Sequence, residues 1–339
     1  MKSATKPGAP RRPLIEPLEA RRLMALDHPI GINFNDEAMW DANFATCVSE
    51  AKKLGVTAVR VWMSIRTWDD RPNAWDPIPS FVQQATIHGP NYTNSTQALM
   101  KRAFELHRAG FAVCVALVPD DGRVPSSVQQ VRNLVAHFRD ATETPNGTQT
   151  LADVVDFWEI GNEPDLQGYW NDPSTDRNVR IRNYVDKFLI PAAQTLRVGS
   201  DPSRWEKVIS AGVSWNAEDL KTLLQHLKDR NALGLIDLAG YHPYGRYDPD
   251  TGDYQQVTRT TNAVKYARQF GKELAATEWN VRGYTSSTDV AKWARSMDAS
   301  FRNLVLDNFR QVYYFCLVNN YAARGGATGN EASSAFACP

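Results

Sequence analysis

A (β/α)8 barrel is the fold this sequence predicts, and three observations predict it. From residue 29 onward, eight short apolar runs alternate with longer amphipathic stretches, at spacings of about 25 to 55 residues. No glycine-rich nucleotide fingerprint follows the first run. The alternation of periods argues for a parallel sheet covered by helices. The missing fingerprint places a closed barrel ahead of an open, doubly wound sheet.

The strand-like runs come in order as PIGINF (29–34), TAVRVW (57–62), FAVCVALV (111–118) and VVDFWEI (154–160). KVISAG (207–212), LIDLAGY (235–241), ELAATEW (273–279) and QVYYFCLV (311–318) complete the set. Between them lie helical patterns, among them 44–55, 96–110, 180–196 and 290–308. Gly55 and Gly110 follow two of these, where a helix C-terminus favours glycine. After Val318 only about twenty residues remain, rich in Gly, Ala and Ser, so the eighth helix is expected to be short or missing. With no internal repeat and no second linker, residues 28–339 read as one barrel domain preceded by a separate segment, 1–27.

Bulk composition narrows the function classes. The 339 residues are 42% hydrophobic and 22% charged, ordinary for a globular protein with ample core. Lys plus Arg and Asp plus Glu are both 38, so net charge gives no reason to expect nucleic acid or an anionic membrane as partner. No apolar run approaches the roughly 18 residues that span a bilayer. The six histidines, at 28, 88, 107, 137, 226 and 242, and the four cysteines show no metal-ligand spacing. No metal or other cofactor is expected, and a monomer is. Cys114 and Cys316 sit in apolar runs and read as buried thiols. Ten tryptophans are the outlier, several of them at loop positions where they suit a ligand with flat apolar faces.

In such a barrel, reactive side chains sit at the C-terminal ends of strands. The fourth strand runs into Asn162 and Glu163, within the stretch FWEIGNEPD. The second ends in Arg60 and Trp62, the sixth in His242, Pro243 and Tyr244, the seventh in Thr277, Glu278, Trp279 and Asn280. Alternation groups Glu163 with Gly161, Glu159 and Phe157, Arg60 with Ala58 and Trp62, His242 with Gly240 and Tyr244, and Glu278 with Ala276 and Leu274. Glu163 and Glu278, about 115 residues apart, would face each other across one mouth. Glycoside hydrolysis needs such a pair, one carboxyl to protonate the leaving oxygen and one to attack or stabilise the anomeric carbon. Plainer readings stand beside this one. The carboxylates could cap helix N-termini, Arg60 could neutralise Glu159 inside the barrel, and His242 could be a satisfied core residue. Trp62, Trp170, Trp215 and Trp279 could each be packing.

GNEP after the fourth strand, Glu278 closing the seventh, Arg60 in AVRVW and His242 with Tyr244 in GYHPYG resemble the clan A retaining glycoside hydrolases, families 39 and 5 above all. The resemblance spans roughly residues 29 to 318. It implies a TIM barrel, with Glu163 as general acid/base and Glu278 as nucleophile in a double displacement. Asn162 would then bond the sugar 2-hydroxyl, Arg60 and Tyr244 would orient the nucleophile and hold it ionised, and His242 would lie beside them. Trp62, Trp170, Trp215 and Trp279 would supply stacking faces for a carbohydrate substrate. The chain departs from the family 5 pattern at strand eight, where CLVNNY stands in place of the usual Trp. A carbohydrate-binding barrel without activity is the alternative in another class.

Four further features carry expectations. The Trp- and Pro-rich loop 63–95 would wall a cleft for a chain substrate. Arg66, Arg71, Arg246 and Arg282 fall in mouth loops, where they could pair with uronate or sulfate groups. Sequons occur at Asn91, Asn94 and Asn146. PLIEPLEARRLMAL, within residues 1–27, resembles the LEPLEARRLL-type motif of many planctomycete extracellular proteins, which implies an export segment and an extracellular or periplasmic location. A disordered basic tail is the other reading of that segment.

Overall fold

The computed structural model describes residues 30–34, 36–39, 41–65, 96–119, 122–144, 147–197, 206–214, 216–281 and 290–315. The chain runs β1 (Ile30–Phe34), α1 (Asp41–Lys53), β2 (Ala58–Ile65), α2 (Thr96–Arg108), β3 (Ala112–Pro119), α3 (Val128–Asp140) and β4 (Phe157–Ile160). It continues with α4 (Arg177–Tyr184), α5 (Ile190–Leu196), β5 (Lys207–Ser210), α6 (Ala217–Asp229), β6 (Leu238–Gly240), α7 (Gln255–Gln269), β7 (Glu273–Trp279), α8 (Val290–Ser300) and β8 (Phe309–Tyr314). The eight strands pair in sequence order, all parallel, and β8 returns to β1 through Ile30–Val312 and Gly31–Tyr313. This is the closed (β/α)8 TIM barrel.

Two apolar layers hold it. Outward-facing strand residues such as Val59, Val113, Leu117, Trp158, Val208 and Val312 meet the helices in one continuous core. Helix α6 shows how the sequence supplies the facing side: Leu220, Leu223, Leu224 and Leu227, at helical spacing, are all buried. Each such leucine contributes about 1.5–3 kcal/mol of transfer free energy. A second, smaller cluster fills the lower barrel interior with Ala58, Cys114, Ile209, Leu238, Ala275 and Tyr313. Gly31 is part of that fit, because a Cβ there would lie 2.3 Å from the Tyr313 ring. Strands buried on both faces need near-continuous apolar runs, and β3 reads AVCVALVP for that reason.

The helix expected over 180–196 is two α-helices, α4 and α5, joined by a π-helical turn at Val185–Leu189. Pro191, with no N–H to donate, stands just past that turn. A similar π turn, Phe301–Val305, follows α8. Gly55 and Gly110 take φ of +73° and +89° at their helix ends, which glycine adopts without penalty. Among the described residues no helix is long and apolar enough to cross a membrane. Cys47 and Cys114 are buried. Several expectations lie outside the described residues: the export segment 1–27, the cleft-walling loop beyond residue 65, the three sequons, Cys316, Cys338, the eighth helix and the CLVNNY end of strand eight.

Candidate active site

Arg60 is the organising residue. It lies in the middle of β2, which runs on to Ile65, and so sits below the mouth and not at the strand end as expected. The side chain is fully buried. Its Nε donates to Glu159 Oε2 at 2.5 Å, Nη1 to Asn33 Oδ1 at 2.7 Å and to Glu278 Oε1 at 3.2 Å, and Nη2 to Asn162 Oδ1 at 2.9 Å. Burial opposes the guanidinium charge, and the negative charges of Glu159 and Glu278 outweigh that and hold the proton more tightly than in water. Arg60 thus lies within ion-pair distance of both Glu159, at 2.5 Å, and Glu278, at 3.2 Å.

Glu278 reaches this position by an irregularity in the strand. Alternation grouped it with Leu274 and Ala276, but these two pack in the outer, helix-facing core, and Ala275 is the residue that fills the barrel interior. The β7–β8 register shifts between Ala276 and Trp279. That break in the ladder lets Glu278 turn inward beside Thr277, as irregular strand ends commonly do next to functional sites. There the Tyr244 hydroxyl donates to Glu278 Oε2 at 2.8 Å.

Glu163 is placed by a different device. Strand β4 stops at Ile160, whose carbonyl accepts from the Tyr184 hydroxyl, and the Tyr184 hydroxyl oxygen in turn accepts from the Ala211 amide at 3.0 Å. Gly161 then takes φ +91°, and Glu163 itself sits at φ +39°. A non-glycine residue in that region carries backbone strain and persists only where neighbours impose it. Here the Glu163 amide donates to the Gly212 carbonyl at 2.9 Å. Two residues on, Asp165 is fixed by the Ser214 amide (3.0 Å), the Ser214 hydroxyl and Arg177 (2.8 Å).

His242, fully buried, joins the two carboxyl sites. Its Nδ1 lies 2.9 Å from Glu163 Oε1 and 3.7 Å from Glu278 Oε2, and Nε2 lies 3.1 Å from Thr277 Oγ1. Burial pushes the Glu163 carboxyl above its ordinary value, more than the bond to His242 pulls it down. For His242, burial favours the neutral ring, and the charges of Glu278 and Glu163 overcome it and raise the pKa. Both shifts run upward, each group raised in the setting the other helps to make. Perturbed titratable groups of this kind recur at catalytic centres.

One oxygen of Glu163, one of Glu278 and a ring nitrogen of His242 lie within 4.8 Å of one another. The spacing of the six histidines showed no metal-ligand pattern, whereas the resemblance already set His242 beside the two carboxylates. The set does not fit a metal ion well. Arg60 already supplies the positive charge at Glu278, and both His242 nitrogens are engaged within the protein. The same three groups suit proton transfer.

Asn162 is 2% exposed. Its carbonyl oxygen is committed to Arg60, and its Nδ2 is a buried donor with no hydrogen-bond partner among the described residues. An orphaned buried donor costs stability unless something else, such as a ligand hydroxyl, accepts from it.

The tryptophans separate. Trp62, two residues above Arg60 on β2, is partly exposed, lies edge-to-face with Tyr169 at 6.0 Å and stands 5.7 Å from the Arg60 guanidinium. Trp170 is 1% exposed and packs among Tyr184 and Phe188, so it belongs to the core and offers no face to a ligand. Trp279 is buried against Phe301 and Tyr314. Trp215, Arg66, Arg71 and Arg282 lie outside the described residues, and Arg246 is exposed with Asp253 at 3.5 Å. Sequence reasoning missed Asn33 and Gly212. The signal for Asn33 was a lone amide inside an apolar strand, where a buried polar group must find partners. Its Nδ2 lies 3.1 Å from the Thr277 carbonyl.

No protein-family model matches the chain, and no curated protein sequence does. Solved structures share its barrel. A glucosidase from Croceicoccus marinus is 15% identical at a TM-score of 0.55, over 84% of this chain and 60% of that one. A monomeric β-xylosidase from Caulobacter crescentus CB15 is 17% identical at a TM-score of 0.55, over 86% of this chain and 60% of that one. A hyperthermostable endo-1,4-β-D-mannanase from Thermotoga petrophila RKU-1 is 14% identical at a TM-score of 0.55, over 86% of this chain and 89% of that one. At these identities the likeness is one of fold, and the chain spans about 60% of the length of the first two.

Proposed function

We propose that the protein is a retaining glycoside hydrolase acting on β-linked saccharides, with Glu163 as general acid/base and Glu278 as nucleophile. The approach of the two carboxyl groups carries the reading: one oxygen of each lies within 4.8 Å of one oxygen of the other, which suits the short carboxyl separation of retaining enzymes, about 5–5.5 Å. Inverting enzymes keep about 6.5–9.5 Å to seat a water between acid and base.

The environments of the two groups support these roles. Burial keeps Glu163 protonated above the ordinary carboxylate range, as an acid that must hand a proton to the leaving oxygen requires. Glu278 faces Arg60 and accepts from Tyr244, so its charge has two donors before attack on the anomeric carbon. In the first step the C–O bond to the leaving group breaks, Glu163 gives that oxygen its proton, and Glu278 forms the glycosyl ester. In the second, Glu163 takes a proton from water, which displaces Glu278 and restores the anomeric configuration. The free Nδ2 of Asn162 supplies a hydrogen bond to a sugar hydroxyl beside the reacting carbon. Trp62 and Tyr169 offer the aromatic edge. Neighbours of this fold include proteins described as a β-xylosidase, an endo-mannanase and an endoglucanase, which directs the first substrates to try. An extracellular or periplasmic setting and a monomeric state belong to the same proposal.

The test is hydrolysis of an aryl β-glycoside panel and of xylan, mannan and β-glucan by wild type and Glu278→Ala. Activity lost in the variant and restored by azide, with an inverted glycosyl azide as product, supports the proposal. Binding of a polysaccharide with no hydrolysis of anything in the panel would favour the non-catalytic carbohydrate-binding barrel.

A further inference from the structure

Thr277 adjoins Glu278 in sequence, yet its hydroxyl serves the other carboxyl group. We infer that Thr277 is a positioning residue for the acid/base pair: its Oγ1 accepts a hydrogen bond from His242 Nε2 and leaves Nδ1 as the ring atom that exchanges a proton with Glu163. The inference rests on the reading of Glu163 as acid/base.

The contacts are few and closed. His242 Nε2 lies 3.1 Å from Thr277 Oγ1, and Nδ1 lies 2.9 Å from Glu163 Oε1. The ring lies close against Gly212. A Cβ on Gly212 would stand 2.1 Å from Nε2, 2.4 Å from Cδ2 and 2.5 Å from Thr277 Oγ1, so a glycine there is what seats imidazole against hydroxyl. Gly212 also ties the acid to the rest of the network. Its carbonyl accepts from the Glu163 amide at 2.9 Å, and its amide donates to Glu159 Oε1 at 3.1 Å. The His242 amide donates to the Val213 carbonyl at 3.0 Å, which fixes the backbone beneath the ring.

A neutral imidazole has one donor and one acceptor nitrogen. Where the proton of Glu163 sits on Oε1, the nitrogen facing that oxygen must be bare. Nε2 then carries the hydrogen, and the group facing Nε2 must accept. With Thr277 accepting, two states differ only in the place of one proton: Glu163 carboxylic acid against bare Nδ1 of a neutral ring, and Glu163 carboxylate against protonated Nδ1 of an imidazolium. The proton crosses 2.9 Å between Oε1 and Nδ1 while Nε2–H stays as it is. Were the Nε2–H partner missing, the other tautomer would gain, and Nδ1–H would donate to Glu163 and stabilise its ionised form. The charged and titratable groups facing the ring are Glu163 from the loop after β4, Glu278 from β7, Arg60 from β2 and Tyr244 from the β6 end, the last edge-to-face at 5.9 Å. Among the described residues the hydrogen-bond partner of Nε2 is Thr277 Oγ1, the group placed to set the tautomer.

The test compares Thr277→Val, which keeps the shape and removes the acceptor, with Thr277→Ser, which keeps the hydroxyl. Two readouts are taken on the full chain. The first is the 15N shifts of the two His242 ring nitrogens in histidine-labelled protein, assigned against His242→Gln. The second is the alkaline limb of kcat/KM on the best aryl glycoside. Wild type and Thr277→Ser are expected to show protonated Nε2. Thr277→Val is expected to shift population to protonated Nδ1 and to move the alkaline limb down by about one pH unit, the usual scale of one hydrogen bond to the ionised form. If valine disturbs the strand, Thr277→Ala gives the same two readouts. Unchanged ring shifts in the variant lacking the hydroxyl overturn the inference, whatever the activity. Altered ring shifts in a protein that hydrolyses no glycoside uphold the tautomer assignment and overturn the functional reading instead.

Discussion

Replacing Arg60 with methionine tests the network on which the site depends, without reference to any substrate. The guanidinium is completely buried and donates to two carboxylates and two amides. Its loss falls unequally on them. Glu278 keeps the Tyr244 hydroxyl, whereas Glu159, also 0% exposed, keeps among the described residues only the Gly212 amide. The cost is therefore mainly one stranded charge. Removing one partner of a buried ion pair costs about 3–5 kcal/mol. At roughly 2–4 °C per kcal/mol for a domain of this class, the melting temperature should fall by about 10 °C. Because the stranded charge dominates, Arg60→Met combined with Glu159→Gln should recover at least half of that loss. Urea unfolding at neutral pH on the wild type, both single variants and the double variant measures all of it. A loss below about 1 kcal/mol for Arg60→Met, or a double variant no more stable than Arg60→Met alone, would refute the reasoning.

Three further outcomes are expected. Tyr244→Phe removes one of the two donors to Glu278; a hydrogen bond to a charged group is worth about 1.5–3 kcal/mol, so kcat/KM should fall roughly 10- to 150-fold, with little change in melting temperature. Burial raises the Glu163 pKa, so the acid form persists above the ordinary carboxylate range and is lost as pH rises through the raised value. kcat/KM should decline through that alkaline limb, and Glu163→Gln should lose both the limb and most of the activity, as a pH–rate profile will show. Trp170→Ala should cost about 3–5 kcal/mol of stability by opening a core cavity, whereas Trp62→Ala should weaken saccharide binding with little loss of stability. Calorimetry and affinity electrophoresis on both variants separate the two roles.

Much of the architecture was written locally. Alternating runs such as FAVCVALV and the amphipathic stretches between them specify parallel strands under helices, because each element buries its apolar face only against the other kind. The same periodicity puts Asn162, Glu163, His242 and Tyr244 at strand ends, where a barrel presents side chains to its mouth. The pairing of Arg60 with Glu159 was also legible, since both point into the same interior by alternation.

What only the tertiary structure decided is how those groups meet. Simple alternation put Glu278 over Ala276, yet the shifted β7–β8 register turns it inward beside Thr277 and leaves Ala276 facing the helices. The positive φ of Glu163 arises from the Tyr184 bridge and the Gly212 carbonyl, contacts made with residues far along the chain. Trp170 and Trp62 have the same side chain, and only the surroundings make one of them core and the other part of the mouth. Gly212 is the clearest case. Nothing in its own sequence neighbourhood announces a role, because what matters is the side chain it lacks, and that matters only once His242 and Thr277 arrive in the space. Periodicity is a property of the chain, and the proton geometry of the site is a property of close packing between segments that sequence distance keeps apart.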